Sequence, residues 1–290
     1  MEIINMVNGK KKEMTEIIKE VGELPAMPIV AVKVMELVAS PDTTANDLKR
    51  VIAADPVLTA KILRFSNSAL YSCVREVSTL TDAIVIMGFN TIRSLVIATS
   101  TRSLYLKAGK EAGTKEKLLW KHSVACAISS RITAERVKYP PIEEAFIGGL
   151  LHDIGKVVLL QKESFNYSQI FKDAQEGKKN FAESEYNTYG FTHASLGALV
   201  IKEWNLPQEL EMAILVHHNE KFDGKEILGA IINFSDLICQ KLGIGPISDE
   251  SLSIQDSNST KMLGIDQKVI DEIQEGLKKA VIEEEELFSL

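Results

Sequence analysis

The chain has 290 residues, 45% of them hydrophobic and 6% aromatic, which is enough to bury a sizeable core in one large domain or two small ones. Its formal net charge of -7 and pI near 5.4 argue against a broad nucleic-acid footprint, because that needs a basic face to displace counterions. No run approaches the ~18 apolar residues of a membrane span, no apolar signal core opens the chain, and Cys73, Cys126 and Cys239 lack paired spacing; the expectation is a cytoplasmic protein without structural disulfides.

Residues 1–22 read as a leading helix, interrupted at Gly9 and Gly22, with Lys10-Lys11-Lys12 as a solvated basic run beside Glu13 and Glu16. Leu24-Pro25-Ala26-Met27-Pro28 is stiff, since each proline removes a donor and biases the residue before it away from helix. Helix then runs through Val38, and Ser40-Pro41-Asp42 turns the chain. Thr44 with Asp47 has the pattern of a capping box, Asp55-Pro56 pairs a cap with proline at the first helical position, and Thr79 with Asp82 repeats the start signal. Such short capped helices without strand-like alternation predict an all-α N-terminal lobe over residues 23–105. Its polar points Arg64, Ser66, Asn67, Arg75, Asn90 and Arg93 suit capping and bridging between helices, with contact to a partner or ligand as the alternative. Residues 106–115, with Gly109 and Gly113 and little apolar content, read as a linker.

A second helical lobe is expected over 116–245. Leu118, Leu119, His122, Cys126, Ser129 and Ile132 recur at helical spacing, which puts His122 on the inward face. After the break at Tyr139-Pro140-Pro141, an apolar segment delivers His152 and Asp153 side by side, followed by Lys156. Asn166 to Asn187 is a polar excursion expected to carry one amphipathic helix and a loop. Thr192 can cap a helix bearing His193 and ending near Trp204; Ile214-Leu215-Val216 leads into His217 and His218; Asp236 lies on or beside the apolar stripe of a further helix. Residues 246–265 read as a mobile connector, and residues 266–290 as an amphipathic helix with Ile270, Ile273, Leu277, Val281 and Ile282 as its stripe. That stripe can pack onto its own bundle or onto a second copy, giving a homodimer, and Leu287 and Phe288 after the acidic run could dock onto a neighbour.

A desolvated His-Asp pair is costly unless it is paired or coordinated. One solution is a hydrogen-bonded core pair. The other is a metal. All five histidines of the chain fall in apolar helices or at their ends, and ligands converging from separate helices are how bundles build metal centres. His122, His152, His193, His217 and His218 with Asp153 and Asp236 exceed what one tetrahedral ion needs and suit two octahedral ions of iron, manganese or zinc sharing Asp153. Cys126 and Cys239 either border this site or fill core space. In a catalytic version Asp153 belongs to a water-activating centre and Lys156 neutralises phosphate charge.

The order His122, His152-Asp153, His193, His217-His218, Asp236 resembles the HD-domain superfamily of metal-dependent phosphohydrolases. Leu24 to Pro28, Ile52-Ala53-Ala54-Asp55-Pro56 through Arg64, Ser66-Asn67-Ser68-Ala69 and Ala83-Ile84 through Met87-Gly88 narrow the resemblance to the HDOD family, from about residue 20 to about 245. That resemblance implies a two-lobed all-α module of bacterial signal transduction, metal-binding here, acting through signalling protein partners; charge and hydropathy add the expectation of no nucleic-acid and no membrane partner. The alternative is a phosphohydrolase like the HD-GYP phosphodiesterases, with a nucleotide or cyclic dinucleotide as ligand. His217 to Gly224 is similar to the start of their signature, but Lys225-Glu226-Ile227 stands where Gly-Tyr-Pro belongs.

Overall fold

The computed structural model describes residues 13–68, 76–105, 113–177, 180–219 and 221–283. Lys10-Lys11-Lys12, Cys73, Arg75, most of the expected linker and the tail from residue 284 lie outside them. Every regular element among the described residues is helical. The first helices are α1 (Met14–Val21), α2 (Ile29–Ala39), α3 (Ala45–Ala53), α4 (Pro56–Ser66), α5 (Leu80–Met87) and α6 (Phe89–Thr101), closed by a 3-10 turn at Arg102–Tyr105. The chain continues through α7 (Thr114–Arg136), α8 (Ile142–Leu151), α9 (Ile154–Gln161), α10 (Tyr167–Gln175), α11 (Phe181–Tyr189), α12 (His193–Glu203), α13 (Gln208–Val216), α14 (Ile227–Lys241), α15 (Asn258–Leu263) and α16 (Gln267–Glu283).

Side chains start these helices where unpaired backbone N–H groups require an acceptor. Thr44 Oγ1 accepts from the Asp47 N–H at 3.3 Å while Asp47 accepts from the Thr44 N–H at 3.0 Å, closing the box at the head of α3. Asp55 accepts from Val57 and Leu58 at 2.9 and 3.0 Å, with Pro56 opening α4. Thr79 and Thr192 cap α5 and α12.

α2 to α6 pack on one another, and α7 lies against α8, α14 and α16, an arrangement compatible with two lobes. α6 rests on α8. There Thr91 donates to Glu143 at 3.1 Å, Arg131 also bonds Glu143, and Arg93 pairs with Glu144 at 2.8 Å. The proline segment ties α9 and α12 from outside: Trp204 Nε1 donates to the Pro25 carbonyl at 2.8 Å and Lys162 Nζ to that of Glu23 at 3.1 Å. No single described helix is long and apolar enough to cross a membrane.

Two stretches differ from expectation. The polar excursion forms two helices, α10 and α11, because Tyr167, Ile170, Phe171 and Phe181 are buried and the Tyr167 and Phe181 rings stack. Residues 246–265, expected to be mobile, contain α15 packed on α14. Ile254 and Ile265 anchor that segment in the core, and the buried Thr260 hydroxyl donates to the Ile254 carbonyl at 2.7 Å. The stripe of α16 covers its own core: Ile270, Ile273 and Leu277 are buried against α7, whereas Ile282 is 78% exposed and lies off it.

Candidate metal centre

Five segments converge. α7 presents His122 from its inward face; α8 ends at Leu151, so His152 and Asp153 occupy the break before α9; His193 opens α12; His217 and His218 follow α13; and Asp236 projects from α14. Asp153 occupies the N-cap position of α9 but makes no capping bond. An aspartate there normally caps, and this one turns its carboxylate to the imidazoles instead.

Two glycines permit the approach. A Cβ on Gly155 would fall 2.1 Å from the His193 carbonyl oxygen, so α9 and α12 meet at that distance only with glycine. Gly245, at φ 132°, lies under His122, where a Cβ would sit 2.7 Å from the His122 Cβ.

Asp153 is central. Its Oδ2 lies 3.5 Å from His152 Nε2 and 3.7 Å from His122 Nε2, and its Oδ1 lies 3.4 Å from His193 Nε2. His122 Nε2 meets Asp236 Oδ1 at 3.1 Å, and His193 Nε2 meets His218 Nε2 at 2.9 Å. Two ligand-like groups result: His122, His152 and Asp236, then Asp153, His193, His217 and His218. All these residues are buried except His218, which is half-buried. Every residue named from the sequence as a candidate ligand therefore lies in one of two adjacent clusters.

The ring orientations fit a metal. Nδ1 of His122, His152 and His217 lies 3.0, 2.8 and 2.6 Å from the carbonyls of Ile244, Gly149 and Ile214. A carbonyl only accepts, so each Nδ1 carries the proton and each Nε2 turns inward. Nε2 of His152 and of His217 and Oδ1 of Asp153 have no hydrogen-bond partner. Buried acceptors left in that state are costly, and a cation is a partner their chemistry admits.

The electrostatics divide the imidazoles: against burial, nearby carboxylates raise His122 and His152, whereas His217 and His218 are lowered. Burial opposes protonation of His122, yet its bond to Asp236, with Asp153 nearby, raises it to about 9. Burial also opposes ionisation of Asp153, but His152, Lys156 and His193 hold it well below the carboxylate range. Burial and neighbouring imidazoles lower His217 and His218, the latter to about 3, so both stay neutral. Lys156 Nζ donates to Asp153 Oδ2 at 2.8 Å and lies 4.4 Å from the Phe181 ring centroid.

Sequence reasoning missed Glu185. This buried acid on α11 lies 2.6 Å from both the Nδ1 and the backbone N of His193, and accepts from Tyr167 Oη at 2.5 Å. Its signal was a carboxylate sharing a helical face with Phe181 and Tyr189, hidden in a polar stretch. Cys126 and Cys239 are buried free thiols, and burial, with Cys239 alongside, pushes the Cys126 thiol well up.

Residues 24–220 match the HDOD domain family. The chain belongs to the HDOD family. The match ends before Asp236 and Ile244, so the last part of the centre comes from sequence beyond it. An HDOD domain protein of unknown function from Geobacter sulfurreducens shares the fold at TM-score 0.77 and 24% identity, over 95% of this chain and 94% of that one. A Shewanella amazonensis protein with a provisional phosphohydrolase name gives 0.73 at 25% identity, over 95% and 98%. An uncharacterized protein of Treponema pallidum is 22% identical over 211 residues; the match covers 72% of this chain and 40% of the relative's length.

Proposed function

We propose that this HDOD chain is a metal-binding regulatory module of bacterial signal transduction, acting in the cytoplasm through protein partners. The observation that carries the metal reading is the set of inward, partnerless acceptors on His152, His217 and Asp153, flanked by two His/Asp clusters. His122, His152 and Asp236 would hold one divalent ion and His193, His217 and His218 a second, with Asp153 between them. The regulatory reading rests on family membership and on the burial of nearly every ligand atom.

A second reading, phosphoester hydrolysis, is favoured by Lys156 at the edge of the centre and by the half-buried His218, through which a ligand such as a nucleotide would approach. Divalent ions held there would supply the positive charge that activates water and stabilises a phosphoryl group under attack. Lys156 would balance charge, and Asp153 would keep that ammonium oriented.

The two readings separate on turnover. Metal-loaded protein and Asp153→Ala are assayed with a phosphomonoester, a phosphodiester and cyclic dinucleotides. Metal binding without turnover above that of the variant supports the regulator; turnover lost in the variant establishes the enzyme and overturns it.

A further inference from the structure

His193 is oriented unlike its neighbours. His122, His152 and His217 each give their Nδ1 proton to a neutral backbone carbonyl. His193 gives its own to a carboxylate: Nδ1 and the backbone N–H both meet Glu185 Oε2 at 2.6 Å. The other oxygen of Glu185 accepts from Tyr167 at 2.5 Å, and Glu185 has no solvent exposure. Three donors thus hold a buried acid directly behind one candidate ligand.

We propose that Glu185 is a positioning residue for the centre, making His193 the strongest nitrogen donor and the cluster of Asp153, His193, His217 and His218 the tighter half. This rests on the metal reading above. The physical basis is that a carboxylate behind an imidazole fixes its tautomer and ring plane and raises the basicity of the opposite nitrogen, whereas a carbonyl does so less. His193 Nε2 is thereby aimed between Asp153 Oδ1 at 3.4 Å and His218 Nε2 at 2.9 Å. Tyr167 keeps Glu185 in place, and its ring is braced by stacking on Phe181. The two halves of the centre are then unequal by construction.

The competing role for Glu185 is purely structural, because its bond to the His193 N–H also secures the head of α12. Glu185→Gln separates the roles. Glutamine has the same shape and can still accept from His193, but it lacks the charge.

The test is titration of the chelator-stripped full chain with Zn²⁺ by calorimetry, and with Co²⁺ by visible absorption. The melting temperature of each metal-free protein is measured alongside. For Glu185→Gln the expected result is affinity for one ion lowered roughly 10- to 100-fold, the other ion unchanged, cobalt bands shifted and metal-free melting unchanged. Should that variant not fold, Tyr167→Phe replaces it, since phenylalanine keeps the stack; affinity for the same ion alone should change, with shifted cobalt bands. Unchanged affinities and bands would overturn the assignment, as would equal weakening of both ions with a lowered metal-free melting temperature, the mark of a structural cap. Wild-type protein that binds neither metal would instead overturn the metal reading itself.

Discussion

Gly155 and His193 meet at a distance that only a glycine at position 155 allows: a Cβ there would lie 2.1 Å from the His193 carbonyl oxygen. That contact brings the start of α9 to the start of α12, and so Asp153 to His193. Since the obstruction is backbone and not a flexible side-chain end, Gly155→Ala must push the helices apart. Overpacking of this kind costs about 1–3 kcal/mol. Urea denaturation should show at least that loss, with a lower metal content per chain; unchanged values would mean that α9 and α12 can spread without cost.

Stability without metal should peak near neutral pH. His218 falls from 6.5 to about 3 on folding, and His217 falls well below 6.5. Below 6.5 the unfolded chain therefore binds more protons than the folded one, and stability declines with acidification. His122 moves the other way, from 6.5 to about 9. Its contribution is complete below 6.5 and is lost as pH rises through 9. Melting temperatures of chelator-treated protein across this range should pass through a maximum, and a steady rise with pH would contradict the opposed shifts. His122→Asn should flatten the alkaline limb.

The junction between α6 and α8 is predicted to matter for stability and not for metal. Glu143 is buried and accepts from Thr91 on α6 as well as from Arg131 on α7. Removing one partner of a buried ion pair costs about 3–5 kcal/mol. Glu143→Ala should lower stability by that order in denaturant melts while leaving the metal content of folded protein unchanged. A loss of metal without a loss of stability would reverse this assignment.

Much of this architecture is legible in the sequence because its signals are local. Thr44, Asp55, Thr79 and Thr192 cap the helices they precede in the chain, and proline or glycine marks the breaks. The five histidines and two aspartates stand out as polar residues within apolar segments, and the fold gathers them. Other parts of the centre carry no such mark. Glu185 sits in a stretch whose composition reads as solvated. The carbonyl of Ile244, which orients His122, belongs to a backbone group that every residue possesses. The segment holding α15 looked mobile because serines and acids outnumber its two anchors, Ile254 and Ile265, and only packing reveals what those anchors hold.

Elemental analysis decides whether Asp153 joins two metal-binding clusters. Wild-type protein and Asp153→Ala are purified without chelator or affinity metal and their iron, manganese and zinc measured per chain, with melting temperatures before and after chelation. The expected result is up to two ions in the wild type, one per cluster, none in the variant, and a melting temperature that falls on chelation only in the wild type. No metal in either protein, with equal melting temperatures, would contradict it and leave the histidines as hydrogen-bonding members of a helical core.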